Sequence, residues 1–367
     1  MSRLAVHRRR RGDPGARDQA VATRVSLTVG VEEEFLLLDP RGGATVPRGA
    51  EVLAGADWPG GRPELRASVV ESVTGVCADL GDLRGQLAAG RRALAAAAER
   101  EGVLVAPAGT PPCPGAPAPA TPGARFAGIE RRYAGVVTGY EVCGCHVHVG
   151  VDDPDTAVAV INHLRPWLPT LLALSVNSPF DRGTDTGYGS WRMITQARFP
   201  GSGIPPRFAS AAEYRAAVGG LVDCGTLIDP GMSFWLARPS PRWPTVEFRV
   251  ADTALTVADA VAQAELARAL VAAALARLDE DPPELDPQVA AAAVWSAARY
   301  GMDGPAVDPL RACRVSAGRR LAELRDFLLP EDRDMVLPAV SGARRQREAG
   351  GWPGLRAVFR AAMVGTP

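Results

Sequence analysis

Lysine is missing from this 367-residue chain, and all 41 of its basic residues are arginine. That absence excludes a phosphate loop ending in Gly-Lys-Ser/Thr, a Schiff-base lysine for pyridoxal phosphate, and the strand lysine of protein kinases. If the chain handles nucleotide phosphates, arginine and metal ions must do so. Arginine suits the task, because its planar fork matches pairs of phosphate or carboxylate oxygens. A net charge is missing too: 41 acidic residues balance the 41 basic ones. There is thus no global electrostatic case for nucleic acid or a membrane surface as partner. No apolar run is long enough to cross a bilayer, since Arg165 and Pro166 interrupt the best candidate. The stretch from Met1 to Arg24 is polar, carries the Arg8–Arg11 run and lacks the apolar core of a secretory signal. It reads as a disordered Arg-rich tail over 1–24, ahead of one domain over 25–367 in a soluble, cytoplasmic protein. The six cysteines have no framework spacing and read as free, mostly buried thiols.

Three short segments carry the pattern that matters. In 27–38, Leu27, Val29, Val31, Phe35 and Leu37 alternate with Thr28, Gly30, Glu32 and Glu34. In 142–151, Cys143, Cys145, Val147, Val149 and Val151 alternate with Gly144, His146, His148 and Gly150. In 245–251, Val246, Phe248 and Val250 alternate with Thr245, Glu247, Arg249 and Ala251. A period of two is a strand, with successive side chains on opposite faces. Each segment therefore presents two polar groups on one face and an apolar set on the other. Side by side, the three strands make a wall of carboxylates, imidazoles and an arginine, which is costly unless cations sit in it. The same parity sends Cys143 and Cys145 away from His146 and His148, so one zinc ion could not easily take all four. It also places Glu33 on the apolar face, as a structural residue.

Glu64 and Glu71 are seven residues apart, which on one regular strand would point them to opposite faces. A bulge or break between them is needed if both serve the wall. The region 63–77 is β-leaning. Helical patterns follow at 79–100, at 155–175 with breaks at Pro166 and Pro169, at 211–222 and at 257–278. Ser210 and Thr256 head the last two as capping residues. Further helices are expected at 287–300, 316–329 and 352–363. The Pro-rich stretch 106–123 reads as a surface loop or lid. Asp185 and Asp229 look like turn residues, and His163 carries no site signal. Strands in the middle and helices in the last third argue for an α+β fold.

Six ordered motifs carry a resemblance. They are Gly30-Val31-Glu32-Glu33-Glu34-Phe35; Glu64-Leu65 with Glu71; Gly144-Cys145-His146-Val147-His148-Val149-Gly150; Asn177-Ser178-Pro179-Phe180 with Asp185-Thr186-Gly187-Tyr188 and Ser190-Trp191-Arg192; Leu227-Ile228-Asp229-Pro230-Gly231-Met232; and Thr245-Val246-Glu247-Phe248-Arg249-Val250. Together they resemble the type 2 glutamate–cysteine ligase family, also described as YbdK-like carboxylate–amine ligases. The resemblance runs from about Thr28 to the end. It implies a glutamine-synthetase/glutamate–cysteine-ligase-like fold: a curved antiparallel β-sheet funnel with helices packed outside, forming a single catalytic ligase domain.

It also implies ATP-dependent amide bond formation, in which a substrate carboxylate attacks the γ-phosphate and an amine then displaces phosphate from the acyl phosphate. Both partners in the first step are anions, so neutralisation and alignment must do most of the work. The resemblance makes Glu32, Glu34, Glu64, Glu71, His146 and Glu247 candidate ligands for Mg²⁺ or Mn²⁺. It makes Arg192 and Arg249 candidate anion clamps, and His148 and Asn177 supporting or nucleotide contacts. The implied partners are a glutamate-like carboxylate and an amino-acid amine, with a homo-oligomer as a possible assembly. Gly109-Thr110-Pro111-Pro112 stands where the resemblance leads one to expect Gly-x-His-Pro, which leaves the amine acceptor open. A metal-dependent hydrolase and a non-catalytic nucleotide-binding relative are the competing readings. The first would need a histidine-rich shell that four histidines do not supply.

Overall fold

The computed structural model describes residues 27–364, so the tail proposed for 1–24 lies outside the described residues. Seven strands build the central sheet: β1 Val29–Leu38, β2 Gly61–Pro63, β3 Val69–Val73, β4 Leu104–Ala106, β5 Gly144–Gly150, β6 Ala237–Pro239 and β7 Thr245–Asp252. Their order is β6-β7-β5-β1-β3-β2, with β4 pairing the far end of β1, and every pairing is antiparallel. The three segments picked out by their alternation are thus the three adjacent strands β7, β5 and β1. Glu64 lies just past the end of β2, and residues 64–68 leave the strand geometry before β3 resumes at Val69. This is the break that the spacing of Glu64 and Glu71 required.

The apolar face of β1, β5 and β7 packs under helices. Val29, Val31, Cys145, Val147, Val149, Val246 and Phe248 share one buried cluster with the Val257–Leu275, Pro154–Leu164 and Leu168–Ser175 helices. At roughly 25 cal/mol per Å² of apolar area removed from water, this layer is the main source of stability for the sheet. Thr256 opens the Val257–Leu275 helix with a reciprocal capping box, its hydroxyl accepting from Asp259 N–H while the Asp259 carboxylate accepts from Thr256 N–H. The break expected near Pro166 is a 3₁₀ turn at Arg165–Trp167. Cys145 is buried in this cluster, whereas Cys143, just ahead of β5, is buried in a separate one with Leu36, Leu38 and Leu255.

Glu33 is buried on that same apolar face, where the fully buried Arg91 of the Leu80–Arg100 helix forks onto it at 3.0 and 2.5 Å. Arg91 also donates to the carbonyls of Ala254, Leu255 and Ala362. The pair ties four separate segments together, in keeping with a structural Glu33.

The first half of the Pro-rich segment differs from its expected place. Residues 106–113 are buried, whereas 114–117, 119, 122 and 123 are exposed, so the second half of the segment is the surface loop expected. Prolines lack a donor, but their carbonyls are well used here: Pro111 and Pro112 accept from the N–H groups of Arg182 and Gly183. Gly109 accepts from Cys143 N–H and donates to the Asn177 carbonyl. The first half of the segment is a threaded brace. Thr110, inside the motif that departs from the family pattern, spends its hydroxyl on the Phe180 carbonyl.

Candidate active site

The polar face of the sheet borders a cavity of about 240 Å³. Register brings the groups together. Glu32 stands opposite His146, Glu34 opposite Glu71, and Glu247 opposite His148. Of the ten residues singled out from sequence, Glu32, Glu34, Glu64, Glu71, His146, Arg192 and Arg249 all line the cavity. The other three do not reach it.

Two groups of hard ligands lie within this wall. In one, Glu32, Glu71 and His146 each offer an atom within 4.8 Å of the others; in the second, Glu34, Glu64 and Glu71 do the same. Glu71 belongs to both. Burial pushes Glu64 up to about 8, helped by the charge of Glu34. Burial raises Glu71 well above the ordinary carboxylate range as well, with Glu64 and Glu32 adding to it. Carboxyls crowded in this way want a cation. Glu32 is the exception: burial alone would raise it, but hydrogen bonds from His146 and His148 overcome that and hold it below the usual range. Burial lowers His146, with the Arg249 charge adding to the effect, which favours the neutral imidazole that a metal needs. One Glu34 oxygen is fixed by the Gly144 N–H at 2.5 Å.

Glu247 has a different first task from the ligand role expected of it. Arg238 forks onto it at 2.9 and 3.1 Å, and Arg249 donates to it as well. Burial would raise this carboxyl, but the two guanidinium charges hold it low. A third group of potential ligands, Glu32, His148 and Glu247, exists; any ion there would share a carboxylate that two arginines already hold. His148 bridges Thr245, at 2.8 Å from its hydroxyl, and Glu32, at 3.3 Å. Asn177 takes the supporting half of the role expected of it. Its amide donates to the Pro107 and Thr253 carbonyls and accepts from Gln346, so every polar atom serves the fold.

Arg192 is 2 % exposed, yet its Nε and Nη1 have no hydrogen-bond partner. Its Nη2 donates to the Arg249 carbonyl, and Nη1 lies 3.8 Å from Asp252. The guanidinium passes so close to Gly144 that a Cβ there would sit 2.5 Å from Nη2, which explains the glycine of the β5 motif. Buried donors left open at a cavity wall suit an oxyanion.

Sequence reasoning missed Asp252. It is fully buried and accepts from Asn177 N–H, Ser178 Oγ and Ser190 Oγ. Burial raises it, and Arg192 works against that rise. Simple alternation would put Asp252 on the apolar face with Phe248. A bulge between Phe248 and Ala251 adds one residue to β7, so that Asp252 pairs with Gly144 on the polar face. Arg238, the second guanidinium on Glu247, was missed as well. Its only signal was an arginine in an otherwise apolar short strand.

Two solved structures share this fold. One similar solved structure is glutamate–cysteine ligase from Francisella tularensis, at TM-score 0.65 and 12 % identity, covering 92 % of this chain and 88 % of that one. Another is the bifunctional glutathione synthetase of Pasteurella multocida, at TM-score 0.67 and 16 % identity over 92 % of this chain; this chain spans about half of that longer protein, 52 %. Sequence then supplies the family. Residues 28–351 match the model of glutamate–cysteine ligase family 2. The chain is 49 % identical over 356 residues to the protein named "Putative glutamate--cysteine ligase 2-2" of Saccharopolyspora erythraea, with 91 % of each covered. It is 45 % identical over 320 residues to the "Putative glutamate--cysteine ligase 2" of Salinispora arenicola, covering 86 % of this chain and 82 % of that one. The chain belongs to glutamate–cysteine ligase family 2, and is an ATP-dependent carboxylate–amine ligase. Among the described residues, no helix is long and apolar enough to cross a membrane.

Proposed function

We propose that this ligase activates a glutamate-like carboxylate as an acyl phosphate and passes it to the amine of a second amino acid. The observation that carries the reading is the pair of ligand groups sharing Glu71, set beside two guanidiniums in one cavity. Glu32, Glu34, Glu64, Glu71 and His146 would hold divalent cations, Mg²⁺ or Mn²⁺ by the hardness of their oxygens. Bound there, the cations supply charge neutralisation for phosphate oxygens. Arg192 and Arg249 hold and orient the anionic groups, Arg249 being fixed from behind by Glu247. Glu247 in turn is fixed by Arg238, so the clamp rests on a buried charge chain. A carboxylate and a phosphate repel each other in water, and placing both before fixed positive groups is what this wall does best.

ADP release tests the reading. With Mg²⁺ and ATP, adding glutamate or a close carboxylate analogue should stimulate ADP formation, and an amine panel should increase it further. ADP release that ignores the carboxylate would remove the ligase assignment for this site and return the hydrolase reading. AMP as the product would point to an adenylate route instead.

A further inference from the structure

The motif Asp185-Thr186-Gly187-Tyr188-Gly189 carries no part of the proposed chemistry, yet two of its residues, Gly187 and Gly189, line a second polar cleft of about 200 Å³. Three guanidiniums enter that cleft, those of Arg299, Arg344 and Arg347. Two have acidic partners. Arg347 forks onto Asp185 at 2.9 and 2.7 Å, and Arg344 donates to Glu348 at 2.8 Å and lies 3.9 Å from Asp303, an exposed carboxylate that also lines the cleft. Arg299 has no carboxylate within ion-pair distance among the described residues; it lies over the Tyr188 and Tyr300 rings, 5.3 and 5.1 Å from their centroids. Stacking fixes a guanidinium's plane and leaves its N–H fork to point outward. Gly187 has φ +73°, and a Cβ there would lie 3.6 Å from that guanidinium. The backbone is therefore held close to Arg299 in a conformation that favours glycine.

The cleft is joined to the active site by a short, fully bonded path. Gly189 N–H and Ser190 N–H both donate to the Ala298 carbonyl, next to Arg299. Ser190 then donates to Asp252 and accepts from Met193 N–H, opening the helix that carries Arg192. Two residues, Ser190 and Trp191, separate the cleft wall at Gly189 from Arg192 and its open donors.

We propose that this cleft is a second binding site, for a small molecule bearing a phosphate or carboxylate oxyanion, with Arg299 as its principal contact. Arg344 and Arg347 add positive charge at the rim. Occupancy fixes the Gly187–Ser190 segment and through it the seat of Arg192. The site itself does not depend on the proposed reaction, because its chemistry rests only on the cleft.

The test uses the full chain in EDTA, where the glutamate wall has no cations and repels phosphate. Inorganic phosphate and succinate are titrated separately, by calorimetry and by the fluorescence of Trp191 and Trp295, which flank Tyr188 at 5.4 and 6.4 Å between ring centroids. The expected result is saturable binding of at least one of the two with a fluorescence change, and preference between them identifies the oxyanion's source. Arg299→Gln should weaken it by about tenfold or more, the scale of one charge-assisted contact. Arg344→Gln, on an exposed side chain that leaves the stacking intact, should weaken it to a lesser degree, while Arg192→Gln should leave it unchanged. Binding that never saturates, or that survives Arg299→Gln and Arg344→Gln but is lost in Arg192→Gln, would overturn the proposal.

Discussion

Glu34 and Glu71 face each other across β1 and β3, in direct register. Like-charged groups directly opposite one another weaken a sheet. Here the pair also shares its space with Glu64, and one Glu34 oxygen is tied down by Gly144. The sheet accepts this cost where two of the ligand groups meet, at Glu71.

The first prediction concerns stability without metal. Glu64 titrates near 8 in the fold against an ordinary value of 4.5. A raised carboxyl favours the fold while protonated, so its contribution is fully present below about pH 4.5 and lost as pH rises through about 8. Glu71 shifts in the same direction. In EDTA the melting temperature should therefore fall across that window, and saturating Mg²⁺ should flatten the fall. A profile that is the same with and without Mg²⁺ would show that no cation binds the wall.

Removing single carboxylates separates ligands from structure. Glu71→Gln and Glu32→Gln should each lower turnover by about tenfold or more, equivalent to about 1.4 kcal/mol of transition-state stabilisation. Glu71→Gln should at the same time raise the melting temperature in EDTA, because it relieves crowding. Kinetics and thermal unfolding on the same preparations check both. A Glu71→Gln enzyme with normal turnover at saturating and limiting Mg²⁺ would take that residue out of the site.

Glu33 should behave in the opposite way. Glu33→Gln leaves the guanidinium of Arg91 without its counter-charge at a fully buried position. Breaking such a pair costs about 3–5 kcal/mol. Denaturant unfolding should show this loss, while turnover per folded molecule stays near normal. The difference between adjacent residues Glu33 and Glu34 follows from strand parity alone. Equal catalytic damage from both, with the fold intact, would contradict the register.

Arg249 offers a cleaner test of charge handling than Glu247. In Arg249→Ala, Arg238 still forks onto Glu247, so the buried carboxylate keeps a partner. Turnover should fall by about a hundredfold, the scale for losing one preorganised donor, with little change in melting temperature. Unfolding of the variant with normal turnover in the folded fraction would make Arg249 structural.

Much of this was legible in the chain because alternation reports faces. Glu32, Glu34, His146 and Arg249 could be placed on one wall, and Glu33 on the other, from period two alone. The need for a break between Glu64 and Glu71 was legible as well, since parity forbade a regular strand. What alternation could not show was the bulge in β7, which turns Asp252 onto the polar face. Nor could it show long-range partners. Arg91 and Arg238 meet Glu33 and Glu247 only through tertiary packing and hairpin register. For Asn177 a supporting role and a nucleotide contact stayed open, because a motif fixes a residue's position and not the direction of its amide, which here braces Pro107, Thr253 and Gln346. The first half of the Pro-rich segment is interior because carbonyls alone can stitch a proline run into the core, while its second half is the exposed loop expected.

The fate of oxygen in the donor carboxylate is the most direct measurement of the central claim. Glutamate, or the analogue that best stimulates ADP release, is labelled with heavy oxygen in its reacting carboxylate and turned over with ATP, Mg²⁺ and amine. The carboxylate attacks the γ-phosphorus, ADP leaves, and the amine then displaces phosphate from the acyl carbon, so one labelled oxygen departs in inorganic phosphate. Label in phosphate, at one atom per amide formed, is the expected result. Phosphate carrying only unlabelled solvent oxygen would contradict the acyl-phosphate route.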